Sequence, residues 1–312
     1  MSGSQLPQDH EPFTEESAAR ALRAAVRIIG AALPADIRLL RLGENALFVS
    51  PTLSLVYRVA RSDALIEKVE KELATAAWLL SQGYPGLPPR DDLPQPVNAE
   101  GRLVTFWEYV PPSGTPASFT DLAVLLRELH ALPPPDFPVP DLDPFPVMRL
   151  RLDRASEDNG NGGVPEKDLE FLSAACTSVE AGFKDFVSSD PTRGLIHGDA
   201  HRGNVLRRRD GVALLIDFEA VALGPRAWDL MPTAMAVDRF GLDPAEYAEF
   251  CDIYGADVTK DPGYRVLRAV RELGMTTWLM QNVSHSSAAA QEFTVRMESL
   301  RKGDHAARWH AR

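Results

Sequence analysis

Apolar positions fall in two rhythms along the chain, and the change between them divides it. From Thr14 to Leu33, the residues Ala18, Ala21, Leu22, Ala25, Ile28, Ile29 and Ala32 recur at steps of three and four behind a Thr14-x-x-Ser17 opening. That spacing predicts an amphipathic helix with a capped start. Three short runs of strand type follow over residues 37–42, 46–50 and 53–60, the first two joined by a turn at Gly43-Glu44-Asn45. In the third, Leu55, Tyr57 and Val59 alternate with Val56 and Arg58. A second helix is predicted over 67–80, with Val69, Leu73, Ala76, Ala77 and Leu80 on one side and Gly83 and Pro85 ending it. After a turn-rich stretch comes a strand over 103–109. Beyond Pro111-Pro112-Ser113-Gly114 the pattern is mostly helical, over 121–132, 165–187, 227–240, 244–254, 264–282 and 286–301. A proline-rich segment, 133–146, and a Gly/Asn tract, 157–163, read as loops.

Strands gathered at one end and helices at the other argue for an α+β fold rather than alternating βαβ units. The division expected is a tail and helix over 1–34, a small β-rich lobe over 35–112 and a larger helical lobe over 113–312.

Composition narrows the chemistry. The chain has 312 residues, 45% of them hydrophobic, and its 44 acidic against 33 basic side chains give a net charge of −11. Nucleic acid would bind against that field, so none is expected. No apolar window reaches the roughly 18 residues of a membrane helix, and the first residues lack a signal-peptide pattern, so no membrane association and a cytoplasmic location are expected. The two cysteines, Cys176 and Cys251, are far apart, which excludes a disulfide framework and zinc-finger spacing and leaves both as core thiols.

The densest polar stretch is Leu195-Ile-His-Gly-Asp-Ala-His-Arg-Gly-Asn204, followed by an apolar run into Asp217-Phe-Glu219. Asp199 and Asn204 stand five apart, as do the Asp and Asn of a protein-kinase catalytic loop, and Asp217 falls where a metal-binding Asp on the next strand would lie. A carboxylate, an amide carbonyl and phosphate oxygens suit Mg²⁺, a hard cation. Asp199, free of the metal, is then able to orient an acceptor hydroxyl and take its proton.

The motif His197-Gly-Asp-x-His-x-x-Asn204, followed by Ile216-Asp217-x-Glu219, resembles that of the aminoglycoside phosphotransferase and choline kinase-like family. The resemblance implies the bilobal protein-kinase-like fold, with a small β-rich N-lobe and a larger, mainly helical C-lobe. It also implies an ATP- or GTP-dependent O-phosphotransferase that uses Mg²⁺. By it, Gly43 and Asn45 belong to a short nucleotide-binding loop, Arg58 takes the basic position of the third strand, and Glu72 is its helix-borne partner, with Glu70 and Glu67 as competing choices. Arg58 departs from the more usual lysine there, keeping the charge but changing the geometry. Phe106 to Val110 resembles the hinge on which adenine would lie, with Glu108 and Val110 supplying backbone groups. Asp229 would brace the catalytic loop. His197 and His201 are either loop-holding or chemical, and Glu219 faces either a second magnesium, a water or solvent.

The acceptor implied is a hydroxyl of a small molecule, foremost an antibiotic such as an aminoglycoside or another sugar- or nucleoside-containing compound, bound by a monomer or dimer. A kinase of a sugar or amino alcohol is the first alternative. The acceptor pocket is expected in the helical lobe, between the helix from residue 165 and those after 264. An acidic chain suits a polycation, whereas the chain end carries Arg296, Arg301, Lys302, Arg308 and Arg312 against Glu298 and Asp304. Two rivals of other classes are a hydrolase with zinc or manganese on His197, Asp199 and His201, which leaves Asn204 and Asp217 without a role, and a nucleotide-binding pseudokinase.

Overall fold

The computed structural model describes residues 12–111, 113–157 and 163–310. The tail over 1–11, Pro112 at the expected boundary, the middle of the Gly/Asn tract and Arg312 lie outside the described residues. Contacts group the chain into two units. One runs to Ala117 and takes back Gly203–Val221; the other is Ser118–Arg202 with Ala222–Arg312.

In the first unit, helix α1 (Glu15–Ile28) opens on a capping box in which the Thr14 hydroxyl accepts from the Ser17 amide and the Ser17 hydroxyl from that of Thr14. Strands β1 (Arg38–Leu42), β2 (Asn45–Ser50), β3 (Leu55–Ala60), β4 (Val97–Ala99) and β5 (Arg102–Glu108) form an antiparallel sheet in the order β1-β2-β3-β5-β4. Alternation along β3 decides what each face carries. Tyr57 and Val59 join Phe48, Val104 and Phe106 against Ala18, Leu22 and Ala25 of α1. Arg58 points the other way. Strand β4 was not expected in the turn-rich stretch; Glu100 at φ 53° and Gly101 at φ 69° make the tight two-residue turn that pairs it with β5. Pro51 to Ser54 is a turn and not the start of β3, with Ser54 at φ 49°.

Helix α2 (Ile66–Ser81) buries Val69, Glu72, Thr75, Ala76 and Leu79. This face is rotated from the expected one: Ala77 and Leu80 are exposed and a carboxylate lies inward. The returning segment forms a hairpin of two strands, Val205–Arg207 and Ala213–Leu215. It is tied to the chain after α2 where the Leu87 amide donates to Leu215 and the Leu215 amide to Pro85.

The second unit is helical: α3 (Phe119–Ala131), α4 (Phe145–Glu157), α5 (Glu166–Ser189), α6 (Ala227–Phe240), α7 (Pro244–Tyr254), α8 (Tyr264–Met280) and α9 (Ser287–Lys302). Helix α4 begins inside the proline-rich segment, where Pro146 in the first turn is no obstacle. The residues before it are bonded to the strand Ala222–Gly224, which pairs with Gly194–Ile196. Gly224 has no room for a side chain, since a Cβ would lie 2.8 Å from Ile196 and 3.0 Å from Leu142. Cys176 is buried, whereas Cys251 is only partly so; both are free thiols.

The chain end is held by buried charge. Glu272 accepts from Arg239 at 2.8 Å and Arg268 at 2.9 Å, Glu292 accepts from Arg296 at 2.9 Å, and the Trp309 ring lies under the guanidinium carbons of Arg239 at 4.3 Å and Arg296 at 4.8 Å. Arg301 pairs with Asp168 and Arg308 donates to the Val237 and Asp238 carbonyls. Much of the basic charge read at the chain end is therefore engaged inside the unit. Replacing Trp309 by Ala removes a 3%-exposed ring and is expected to destabilise the protein by about 3–5 kcal/mol, read from urea unfolding; a change under about 1 kcal/mol, the range of exposed sites, contradicts this packing.

Candidate active site

In the first unit a buried acid organises the site. Glu72, 3% exposed, takes a 2.6 Å hydrogen bond from Arg58, which approaches from the α2 face of β3. Glu67 and Glu70 on the same helix are exposed. Burial raises the Glu72 pKa, Arg58 opposes the rise and the nearby Asp217 adds to it. Arg58 also pairs with Glu219 through Oε1, to which Asn45 donates at 3.1 Å, while Lys68 pairs with Oε2. Groups from the β1–β2 turn, β3 and α2 thus converge on one carboxylate. Carboxyl oxygens of Glu72, Asp217 and Glu219 come within 4.8 Å of one another, and oxygen donors of this kind fit Mg²⁺.

Asp217 is exposed and sits at φ 66° and ψ 68°, the left-handed region, at the entry of a short turn, Phe218–Ala220. Phe218 is buried and its ring edge lies where a Cβ on Gly86 would be 3.1 Å away. Asn204 is buried just before the hairpin, and its carbonyl accepts from the Ile216 amide at 3.0 Å, which joins the two ends of the hairpin. Gly43 closes the β1–β2 turn by donating to the Asn45 carbonyl. At the end of β5, the Glu108 and Tyr109 amides donate to Pro88 and Ser54, and Glu108 and Val110 border a depression with Arg208 and Arg209.

In the second unit the catalytic-loop residues hang from Asp229. Its two carboxylate oxygens accept from the His197 amide at 2.6 Å and the Gly198 amide at 2.9 Å, and His130 meets it at 3.1 Å while holding the Tyr254 hydroxyl at 2.8 Å. Asp229 is wholly buried. Burial opposes its ionisation, but the hydrogen bond and charge of His130, with His197, hold its pKa below the ordinary value. The Trp228 indole N–H donates to the Gly198 carbonyl at 2.8 Å, and Gly198 supplies the φ of 84° the bend requires. Asp199, with its side chain 53% exposed, emerges from this braced bend. Its Oδ1 lies 3.8 Å from Arg271 and its Oδ2 3.7 Å from His201.

His197 is fully buried and its Nδ1 accepts from the Asp199 amide at 3.3 Å, whereas His201 is exposed. The two imidazoles therefore do not share an open face, and among the described His, Cys, Asp and Glu residues those that converge as possible metal ligands are Glu72, Asp217 and Glu219.

Sequence reading missed Lys68, Lys71, His130 and Arg271. Arg271 donates to the Gly198 and Trp228 carbonyls, both at 3.1 Å, and its guanidinium carbon stands 4.0 Å over the Trp228 ring. Burial lowers its pKa, with Asp199 and Asp229 opposing. The available signal was the row Arg268, Arg271 and Glu272 set among Leu267, Val270 and Leu273 on one apolar helix. Charges on such a face need partners.

The folded pKa of Asp229 lies below its ordinary 3.8, so its ionised form contributes stability that is present above that pH and lost as pH falls through the folded value. Asp229→Asn is expected to cost about 3–5 kcal/mol at neutral pH and to leave a shallower loss of stability below about pH 4 than wild type shows. Urea unfolding across that range checks it; an unchanged acid limb contradicts the assignment.

Comparison with known proteins gives the family and the fold. The model of the phosphotransferase enzyme family matches residues 37–270, well over half of the chain. No curated protein matches it in sequence. Similar solved structures include an aminoglycoside phosphotransferase of Streptomyces rimosus, at 20% identity and a TM-score of 0.58 over 81% of this chain and 97% of that one. A choline kinase of Streptococcus pneumoniae aligns at 15% identity and 0.60 over 86% and 95%. A choline/ethanolamine kinase family protein of Mesorhizobium loti aligns at 17% and 0.61 over 94% and 96%. These structures share its kinase-like α+β fold, and the family match makes the conclusion plain: the chain belongs to the phosphotransferase enzyme family.

Proposed function

We propose that this phosphotransferase moves the terminal phosphoryl group of ATP or GTP to a hydroxyl of a small molecule, foremost a sugar- or nucleoside-containing antibiotic. The observation that carries the reading is the placement of Asp217 beside the pair that Arg58 makes with the buried Glu72. Asp217 and Asn204 would hold Mg²⁺, which when bound supplies charge neutralisation to the phosphates. Arg58, fixed by Glu72, contacts phosphate oxygens. The Gly43–Asn45 turn covers them, and the backbone at Glu108 and Val110 receives the base.

Asp199 orients the acceptor hydroxyl. As the new O–P bond forms and the bond to the leaving nucleoside diphosphate breaks, the hydroxyl proton passes to Asp199. Positioning and electrostatics carry most of such a transfer, because its transition state is loose. Asp229, through the His197 and Gly198 amides, holds Asp199 in place.

Support for an antibiotic acceptor comes from relatives of this fold, one solved with ADP and streptomycin and one with GDP and kanamycin. A second reading, a neutral sugar or similar metabolite, is favoured by Arg271. Its fixed positive charge 3.8 Å from Asp199 disfavours an ammonium beside the reacting hydroxyl. No helix among the described residues is long and apolar enough to cross a membrane.

The test is mass spectrometry of aminoglycosides, nucleoside antibiotics, macrolides, sugars and amino alcohols incubated with Mg²⁺ and ATP or GTP. A product 80 Da heavier is expected from wild type, with Asp199→Asn slower by about 10²–10⁴-fold and Asp217→Asn reduced at least as far. Wild-type turnover in a folded Asp217→Asn protein contradicts the metal assignment, and equal turnover in Asp199→Asn contradicts the base.

A further inference from the structure

Asp217 occupies the left-handed backbone region, which residues with a side chain seldom take, Asn and Asp more often than others, and its surroundings help to hold it there. Part of the restraint is apolar, through buried Phe218. The rest comes from α2. The Lys71 ammonium lies 2.7 Å from the Glu219 carbonyl and 2.9 Å from that of Val221, tying the middle of the turn that follows Asp217 to the residue just after it. Burial lowers the Lys71 pKa, with Lys68 adding to the effect and Glu72 opposing it. A half-buried ammonium with two backbone carbonyls as its partners is a costly way to fill space, so its contacts need an explanation.

Lys68, one turn earlier, shows the contrast. It is 45% exposed and meets the carboxylate of Glu219 and not the backbone. Glu72, the neighbour of Lys71 in sequence, carries the carboxylate that Arg58 satisfies. Two consecutive residues of one helix therefore fix the two halves of the site: Glu72 sets the phosphate-facing guanidinium, and Lys71 sets the backbone that presents Asp217.

We propose that Lys71 is the positioning residue for Asp217, holding the Glu219 and Val221 carbonyls to α2 so that the Asp217 carboxylate is presented to a nucleotide-bound divalent cation. This rests on the nucleotide and metal reading given above. Lys71 does not itself touch the nucleotide. Its loss then leaves the metal-free nucleotide affinity in place and removes part of what the cation adds.

The experiment is calorimetric titration of the full chain with ADP, once with Mg²⁺ and once with EDTA, for wild type, Lys71→Met and Lys71→Arg. Lys71→Met is expected to bind metal-free ADP within about twofold of wild type and to lose about tenfold of the gain from Mg²⁺, the size of a hydrogen bond to a charged group. Lys71→Arg, which keeps the charge, is expected to recover part of that gain. A folded Lys71→Met with the full gain overturns the proposal, as does an equal loss with and without Mg²⁺. A wild type that gains nothing from Mg²⁺ overturns the metal reading beneath it, and the proposal with it. Amide exchange gives a second reading without nucleotide: faster exchange over residues 218–221 in Lys71→Met, with α2 unchanged, is expected, and unchanged exchange overturns the proposal.

Discussion

A carboxylate taken out of water must be met by a partner, and the first unit is arranged around that requirement at Glu72. Only an inward-facing residue on the neighbouring strand is able to supply the partner, and Arg58 is that residue because the alternation of β3 turns Tyr57 and Val59 toward α1. With Arg58 fixed, the turn after Asp217 follows. Glu219 meets Arg58, Lys68 and Asn45, while Lys71 takes the carbonyls behind it. Removing Arg58 leaves the buried Glu72 carboxylate unmet, whereas removing Glu72 leaves Arg58 with Glu219 as its partner.

A second buried carboxylate does similar work in the second unit. Asp229 receives two backbone amides and a histidine, and the result is a bend from which Asp199 emerges into solvent. The chain passes from this unit to the other between Arg202 and Gly203. Residues five apart in sequence, Asp199 and Asn204, thus belong to different bodies.

Much of this was legible in the sequence. The capping box at Thr14, the helices at 227–240 and 244–254 and the α+β order followed from local patterns. So did the motif from His197 to Glu219, because its residues are contiguous or nearly so. What escaped was set by packing. The burial of α2 is rotated toward Glu72, Thr75 and Leu79, away from the face that apolar spacing assigns to Leu73, Ala77 and Leu80. The β4–β5 turn was hidden by Glu100, a residue that rarely takes positive φ. Lys71 was not singled out, since its partners are backbone carbonyls, and a carbonyl leaves no mark in a sequence.

The central proposal is that Asp217, beside the Arg58–Glu72 pair, and Asn204 form the metal and phosphate site of this phosphotransferase. Anomalous diffraction from crystals grown with ADP and Mn²⁺ tests it most directly. The account predicts a manganese peak bound by the side-chain oxygens of Asp217 and Asn204 and by a phosphate, with Arg58 on a phosphate oxygen and still paired to Glu72. Manganese held instead by His197 and His201, or ADP bound away from Arg58, would contradict it.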